Sequence, residues 1–234
     1  MRKVLLTTAA LLIFSAGLFA QAVKDRQVIP VSVNLNQVLR MTITNGGNIE
    51  FVFNSIDDYR NGLSADAATS GSANPNTSEG FYQTDFTVAS STRWKIDYGS
   101  EQATFIGTDN PANNLGLDNV GFTLVNNGTQ LFEGAGQPQG TTAGSSLFSS
   151  PTDNANEVAA LEVYPVALIE DNDDGTVSNA GDATENSFSL LWRCGTAEAG
   201  AIVPMNAVSL LNQQPSPQPD RYVTNVIFEL AVDN

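Results

Sequence analysis

Trp94-Lys95-Ile96-Asp97-Tyr98 is the stretch that sets the fold class. Trp94, Ile96 and Tyr98 occupy every second position, with Arg93, Lys95 and Asp97 between them. Successive side chains of an extended chain point to opposite faces, so this spacing predicts a strand with one buried and one solvated face. The same period recurs in both directions along the chain. Val31, Val33 and Leu35 alternate with Ser32 and Asn34, and Leu39, Met41 and Ile43 alternate with Arg40 and Thr42. Ile49, Phe51 and Phe53 extend the series, Phe86 and Val88 flank Thr87, and Val226, Phe228, Leu230 and Val232 repeat the pattern near residue 230.

Residues that favour turns lie between these runs: Asn45-Gly46-Gly47-Asn48, Asn61-Gly62, Asn126-Asn127-Gly128 and Asp174-Gly175. Glycine and asparagine accept the positive φ that hairpins and tight loops require. Helical periodicity is weak. Residues 157–169 begin with alanines, yet Val163, Tyr164, Pro165 and Val166 favour strand, and no βαβ rhythm is present. The expected fold is all-β, an antiparallel β-sandwich of immunoglobulin-like or jelly-roll-like type with long surface loops. Residues 64–80 and 134–156, rich in small polar residues, are the expected loops, and the proline-rich run 213–219 is expected to be extended.

Arg2 and Lys3 precede an apolar run over 4–19 and small residues near 20–22, the layout of a removable export signal. Residues 1–22 are read as that signal and 23–234 as one β-sandwich domain with an N-terminal strand arm. The alternative is two small β domains, 23–133 and 157–234. A secreted, extracellular or cell-surface location follows from the signal. No later stretch reaches the roughly 20 apolar residues of a spanning helix, so no membrane span is expected.

Loss of Arg2 and Lys3 leaves eight basic residues against 25 acidic ones and moves the formal charge from −15 to −17. Nucleic-acid affinity rests on a basic stripe that this chain lacks, so no nucleic-acid partner is expected. Strong acidity suits solubility, and cation binding is its functional alternative.

Histidine is absent. That removes Ser-His-Asp and Cys-His relays, HExxH zinc sites and imidazole general bases. The single cysteine, Cys194, follows the apolar run Ser189-Leu190-Leu191-Trp192-Arg193 and reads as a buried thiol without an activating base. No enzyme activity and no catalytic residue are expected. A glycoside hydrolase needs only two carboxylates, for which Asp57, Asp58, Asp97, Glu101 and Asp118 are candidates by type, but no motif pairs them. Trp94 and Trp192 sit in register with apolar neighbours and read as core, with a sugar-stacking role as the alternative.

The sharpest acidic cluster is Glu170-Asp171-Asn172-Asp173-Asp174-Gly175, followed by Asp182 and Glu185. Oxygen ligands around a glycine turn suit Ca²⁺. With Gly175 sixth in a loop, Glu170, Asn172 and Asp174 fall first, third and fifth, but the twelfth position is Gly181 where a bidentate glutamate belongs. The cluster is either a looser calcium loop, with Ca²⁺ as its cofactor, or a metal-free acidic turn.

A charged lead-in, Lys24-Asp25-Arg26, precedes Val28-Ile29-Pro30-Val31-Ser32-Val33-Asn34-Leu35, in which Pro30 cannot donate to a ladder and belongs at an edge or a strand start. Val28, Val31, Val33 and Leu35 are the candidate self-association residues of an arm that adds a strand to a neighbour's sheet. The alternative is an ordinary first strand. The signal, the acidic Asn/Thr/Ser/Gly-rich composition, the terminal strand over 223–232 and the missing catalytic residues together resemble the secreted β-sandwich subunits of bacterial surface appendages, pilin-like and fimbria-like proteins. The resemblance covers layout, and the paired cysteines of many such pilins are missing here. It implies a homopolymer of structural subunits, an extracellular filament or matrix assembled by strand donation. The alternative function is a carbohydrate- or calcium-dependent adhesion module with a glycan ligand.

Overall fold

A computed structural model describes residues 27, 29–65, 82–130, 158–169, 178–198 and 203–233, and the backbone alone of 68–69, 72–73 and 145–146. The chain divides into two units, residues 1–36 and 37–234. In the first, the described residues belong to neither strand nor helix.

The second unit is the expected all-β sandwich. Its largest sheet runs in the order β1 (Leu39–Asn45), β5 (Gln83–Ser90), β13 (Ser187–Cys194), β9 (Val120–Asn126) and β10 (Ser145–Ser146). β11 (Ala159–Ala160) also lies against β9, and β2 (Leu63–Ser64) against β13. A second sheet has the order β12 (Val166–Ile169), β6 (Trp94–Ser100) and β15 (Val226–Val232). A third joins β14 (Tyr222–Val223), β7 (Thr104–Gly107) and β8 (Asn114–Gly116), and β3 (Ala68–Thr69) pairs with β4 (Ser72–Ala73). All of these ladders are antiparallel. Strands from either side of residues 134–156 share the largest sheet.

Period-2 patterning accounts for the central strands. In β5 every second residue is buried, placing Phe86 and Val88 inside, and β6 contributes Trp94, Ile96 and Tyr98 from the facing sheet. Phe122, Leu124, Phe188, Leu190 and Trp192 complete the layer between the sheets. The rings interlock. Phe86 stacks on Phe188 at 5.2 Å, and Tyr98 meets Phe122 edge-on at 5.1 Å. Such geometry adds about 0.5–1.5 kcal/mol per pair beyond area burial.

The chain passes from the first sheet to the second between β5 and β6, where Ser90 Oγ donates to the Thr92 carbonyl and accepts from the Thr92 N–H. Buried Asn179 then clamps the start of β6. Its Oδ1 accepts from the Trp94 N–H at 3.0 Å, its Nδ2 donates to the Trp94 carbonyl at 2.7 Å, and its carbonyl accepts from the indole at 2.7 Å. Both tryptophans are core, as their register predicts, with Trp94 fully buried and Trp192 nearly so. On the outer side of β13, Arg193 Nη1 donates to both Glu198 oxygens, at 2.9 and 3.0 Å, and Nη2 to Thr123 Oγ1 at 2.9 Å.

Two expected strands turn out differently. Residues 31–35 alternate in sequence but form no ladder among the described residues. Residues 49–53 alternate in burial, with Ile49, Phe51 and Phe53 packed on the core, again without a ladder. In each case the apolar period defines a face to be buried and leaves the hydrogen-bonding partner open.

Candidate functional site

The first candidate surface is the arm. Ile29, Val31, Val33 and Leu35 are 82%, 84%, 76% and 90% exposed. Drawn out as a strand, the segment would carry these four side chains on one face. Val28 lies outside the described residues. Residues 27–36 contain no ionisable side chain in a chain of net charge −15.

The second candidate is a cleft of about 670 Å³ within the sandwich unit, opening between residues 46–53 and residues 217–228. The first lip begins where β1 leaves its sheet. The β1 register shifts between Ile43 and Asn45, and Gly46 takes φ +64°. A Cβ there would collide with the Gln83 carbonyl, so only glycine fits the departure. Thr84 Oγ1 secures the turn by donating to the Gly46 carbonyl at 2.7 Å. Beyond it, Phe51 stacks on Tyr82 at 4.5 Å and Phe53 packs against Tyr59 at 5.3 Å.

The lip ends in the short helix α1 (Ile56–Asn61), where the Ser55 hydroxyl and the Asp58 carboxylate each accept the other's backbone N–H. Burial pushes the Asp58 carboxyl up, but the donated N–H groups of Asn54 and Ser55 outweigh it and hold the pKa below the ordinary value.

The opposite lip is fastened by Asp220. Its carboxylate accepts from the Asp109 N–H at 3.0 Å, Asn113 Nδ2 at 2.9 Å, the Asn110 N–H at 3.1 Å and the Arg221 N–H at 2.7 Å, donors that lower its pKa. Across the mouth Arg221 Nε reaches Glu50 Oε1 at 3.4 Å. Ile43, Val52 and Val223 stand at the mouth, 48%, 52% and 42% exposed.

The floor is the sandwich core itself. Phe105, Val120, Leu161, Trp192, Cys194 and Phe228 line it. The Trp192 indole donates to Thr84 Oγ1 at 3.0 Å, and burial pushes the Cys194 thiol up to about 12. A protonated thiol in this setting is a small apolar wall group, as its sequence context predicts.

Each carboxylate considered for glycoside hydrolysis has a local partner. Asp58 caps α1, Asp57 pairs with Arg60, Asp97 lies 3.9 Å from Lys95, and Glu101 accepts from Asn225 Nδ2 at 2.7 Å. Asp118 accepts from Asn119 Nδ2 at 3.3 Å, in a polar hollow lined by amides that include Asn113, Asn119 and Gln213. These three amides donate within the protein, to Asp220, to the Gly116 carbonyl and to Asn119 respectively.

Glu170, Asn172 and Asp174, the candidate calcium ligands, lie outside the described residues. Asp182 and Glu185 are described and close a turn on each other. Asp182 Oδ1 accepts from the Thr184 and Glu185 N–H groups, which lowers its pKa, and Glu185 Oε2 accepts from the Asp182 N–H.

Neither a known family model nor a curated protein matches this sequence.

The arm is thus legible from residues 28–35, whereas the cleft is not. One local signal points to it: in Ile49-Glu50-Phe51-Val52-Phe53 the apolar Val52 breaks the alternation and stands on the face that should be polar.

Proposed function

We propose that the protein is a secreted structural subunit of an extracellular filament, fimbria-like appendage or surface matrix, and that its N-terminal arm joins one copy to the next by strand donation. The observation that carries this reading is the exposure of Ile29, Val31, Val33 and Leu35, four apolar side chains at alternate positions. Burying one such side chain stabilises by about 1.5–3 kcal/mol, so the arm holds a reserve that association releases. Copies of the mature chain, formally −17 without Arg2 and Lys3, repel one another. A contact made by a stretch without carboxylates avoids adding to that repulsion, and main-chain pairing along an extended segment gives it direction.

The test is electron microscopy and sedimentation of the mature full chain beside its Val33→Asp variant. The expected result is polymer from the parent and monomer from the variant, because a buried unpaired carboxylate opposes docking. Equal polymerisation of the two, or a parent chain that stays monodisperse at every concentration, defeats the reading.

A further inference from the structure

We propose that the cleft between residues 46–53 and 217–228 is the acceptor for the arm of a second copy, with Ile29, Val31, Val33 and Leu35 inserted toward the core. The inference rests on the reading of the protein as an arm-joined subunit and assigns the seat.

Four observations support it. The cleft exposes apolar groups at both lips, Ile43 and Val52 on one side and Val223 on the other, above a floor of core side chains. Strand edges stand open beside it: β1 pairs only with β5, and β15 only with β6, among the described residues. Dimensions agree as well. Seven residues, 29–35, extend about 23 Å at roughly 3.3 Å each, and β15 is itself seven residues long.

Charge agrees too. Among the lining residues only Glu50, Asp220 and Arg221 carry formal charge at neutral pH, and a neutral arm adds none.

Pro30 restricts the docking geometry. In a strand, the N–H groups of odd-numbered residues all point to one side and those of even-numbered residues to the other. With the odd side chains inward, the ladder made by residues 29, 31, 33 and 35 is complete, while the opposite side lacks the donor of Pro30. The arm therefore pairs fully with one flanking edge.

A separate copy is the expected source. The arm enters β1 at its Leu39 end through Gln37 and Val38, and the Val38 N–H and carbonyl are both held by Ser91 at 2.9 Å. Ile43 and Gly46, which border the cleft, lie at the other end of that strand.

The experiment mixes two full-length variants, Val33→Cys and Val52→Cys, under mild oxidation. Both also carry Cys194→Ala, because Cys194 lines the cleft floor toward which Val33 is inserted. The expected product is a disulfide-linked heterodimer, absent when Val52→Cys is replaced by Ala183→Cys, an exposed position in the turn before β13. Val52→Asp should also raise the concentration needed for assembly by roughly 100-fold, the cost of an unpaired buried charge.

If polymers form and depend on Val33 yet neither the cross-link nor the Val52→Asp effect appears, the cleft assignment is wrong and the arm reading stands. If Val33→Asp polymerises normally, the arm reading itself fails. A chain carrying both Val33→Cys and Val52→Cys that closes on itself as a monomer overturns the assignment to a second copy.

Discussion

Residues 29–35 and β15 are two seven-residue stretches with apolar side chains at every second position and opposite fates. In β15, Val226, Phe228 and Leu230 pack against the core and each residue has a partner on β6, while Glu229 points to solvent. In the arm, Ile29, Val31, Val33 and Leu35 carry the same alternation into water. The pattern specifies that a face is to be buried. It does not say by what.

The largest expected effect breaks that symmetry directly. Phe228→Asp puts a carboxylate between the sheets beside Phe86 and Tyr98, and thermal or denaturant unfolding should register a loss of more than about 3 kcal/mol. Val33→Asp in the arm should leave the monomer within about 0.5 kcal/mol of the parent. Equal losses at the two positions would place the arm in the monomer's own core.

An alkaline titration separates the two regions by chemistry, since residues 27–36 have nothing to ionise. The Cys194 thiol has a native pKa of about 12 against 9.0 when free. Its contribution is therefore complete below pH 9 and is lost as pH rises from 9 toward 12, by at most about 1.4 kcal/mol per pH unit. Tyr98, whose pKa burial also raises, adds to the alkaline loss. The stability gap between the parent and Cys194→Ala should narrow over this range. A gap that stays constant would mean the thiol is not held neutral by the core.

The smallest effect concerns the cleft mouth. Glu50 and Arg221 are more than half exposed, and a pair of that kind is worth about 0–1 kcal/mol and is screened by salt. Glu50→Gln should leave melting nearly unchanged and shorten the lag of assembly measured by light scattering, as added salt should in the parent. A longer lag would make the pair part of the seat instead of a bar across it.

The central fold was readable because β5, β6 and β15 carry period-2 patterns strong enough to place Phe86, Trp94 and Ile96 inside without knowledge of their neighbours, and the apolar run over 189–193 does the same for Trp192. The two-residue strands were not, because a pair such as Ala159-Ala160 has no period and is defined by the β9 backbone it meets. The hydrogen-bonded core groups escaped for a related reason: Asn179 looks like a loop residue until Trp94 lies against it. The cleft is further still from legibility. Gly46 reads as an ordinary turn, and only the three-dimensional approach of residues 46–53 to 217–228, more than 160 positions away, turns a departing strand into one wall of an opening.

The ladder between β6 and β15 joins residues roughly 130 positions apart, and β5 meets β13 across about 100. Closing such loops costs entropy before any contact compensates, and sheets of this connectivity fold slowly, in milliseconds to seconds. During that interval β6 presents a bare edge to any passing extended segment of suitable pattern. Its own β15 is tethered at the far end of a long loop, whereas the arm of a crowded neighbour is already free. On the proposed arm-joined reading, refolding at high concentration becomes a race between the two strands, and dilution is expected to favour the one that belongs to the chain.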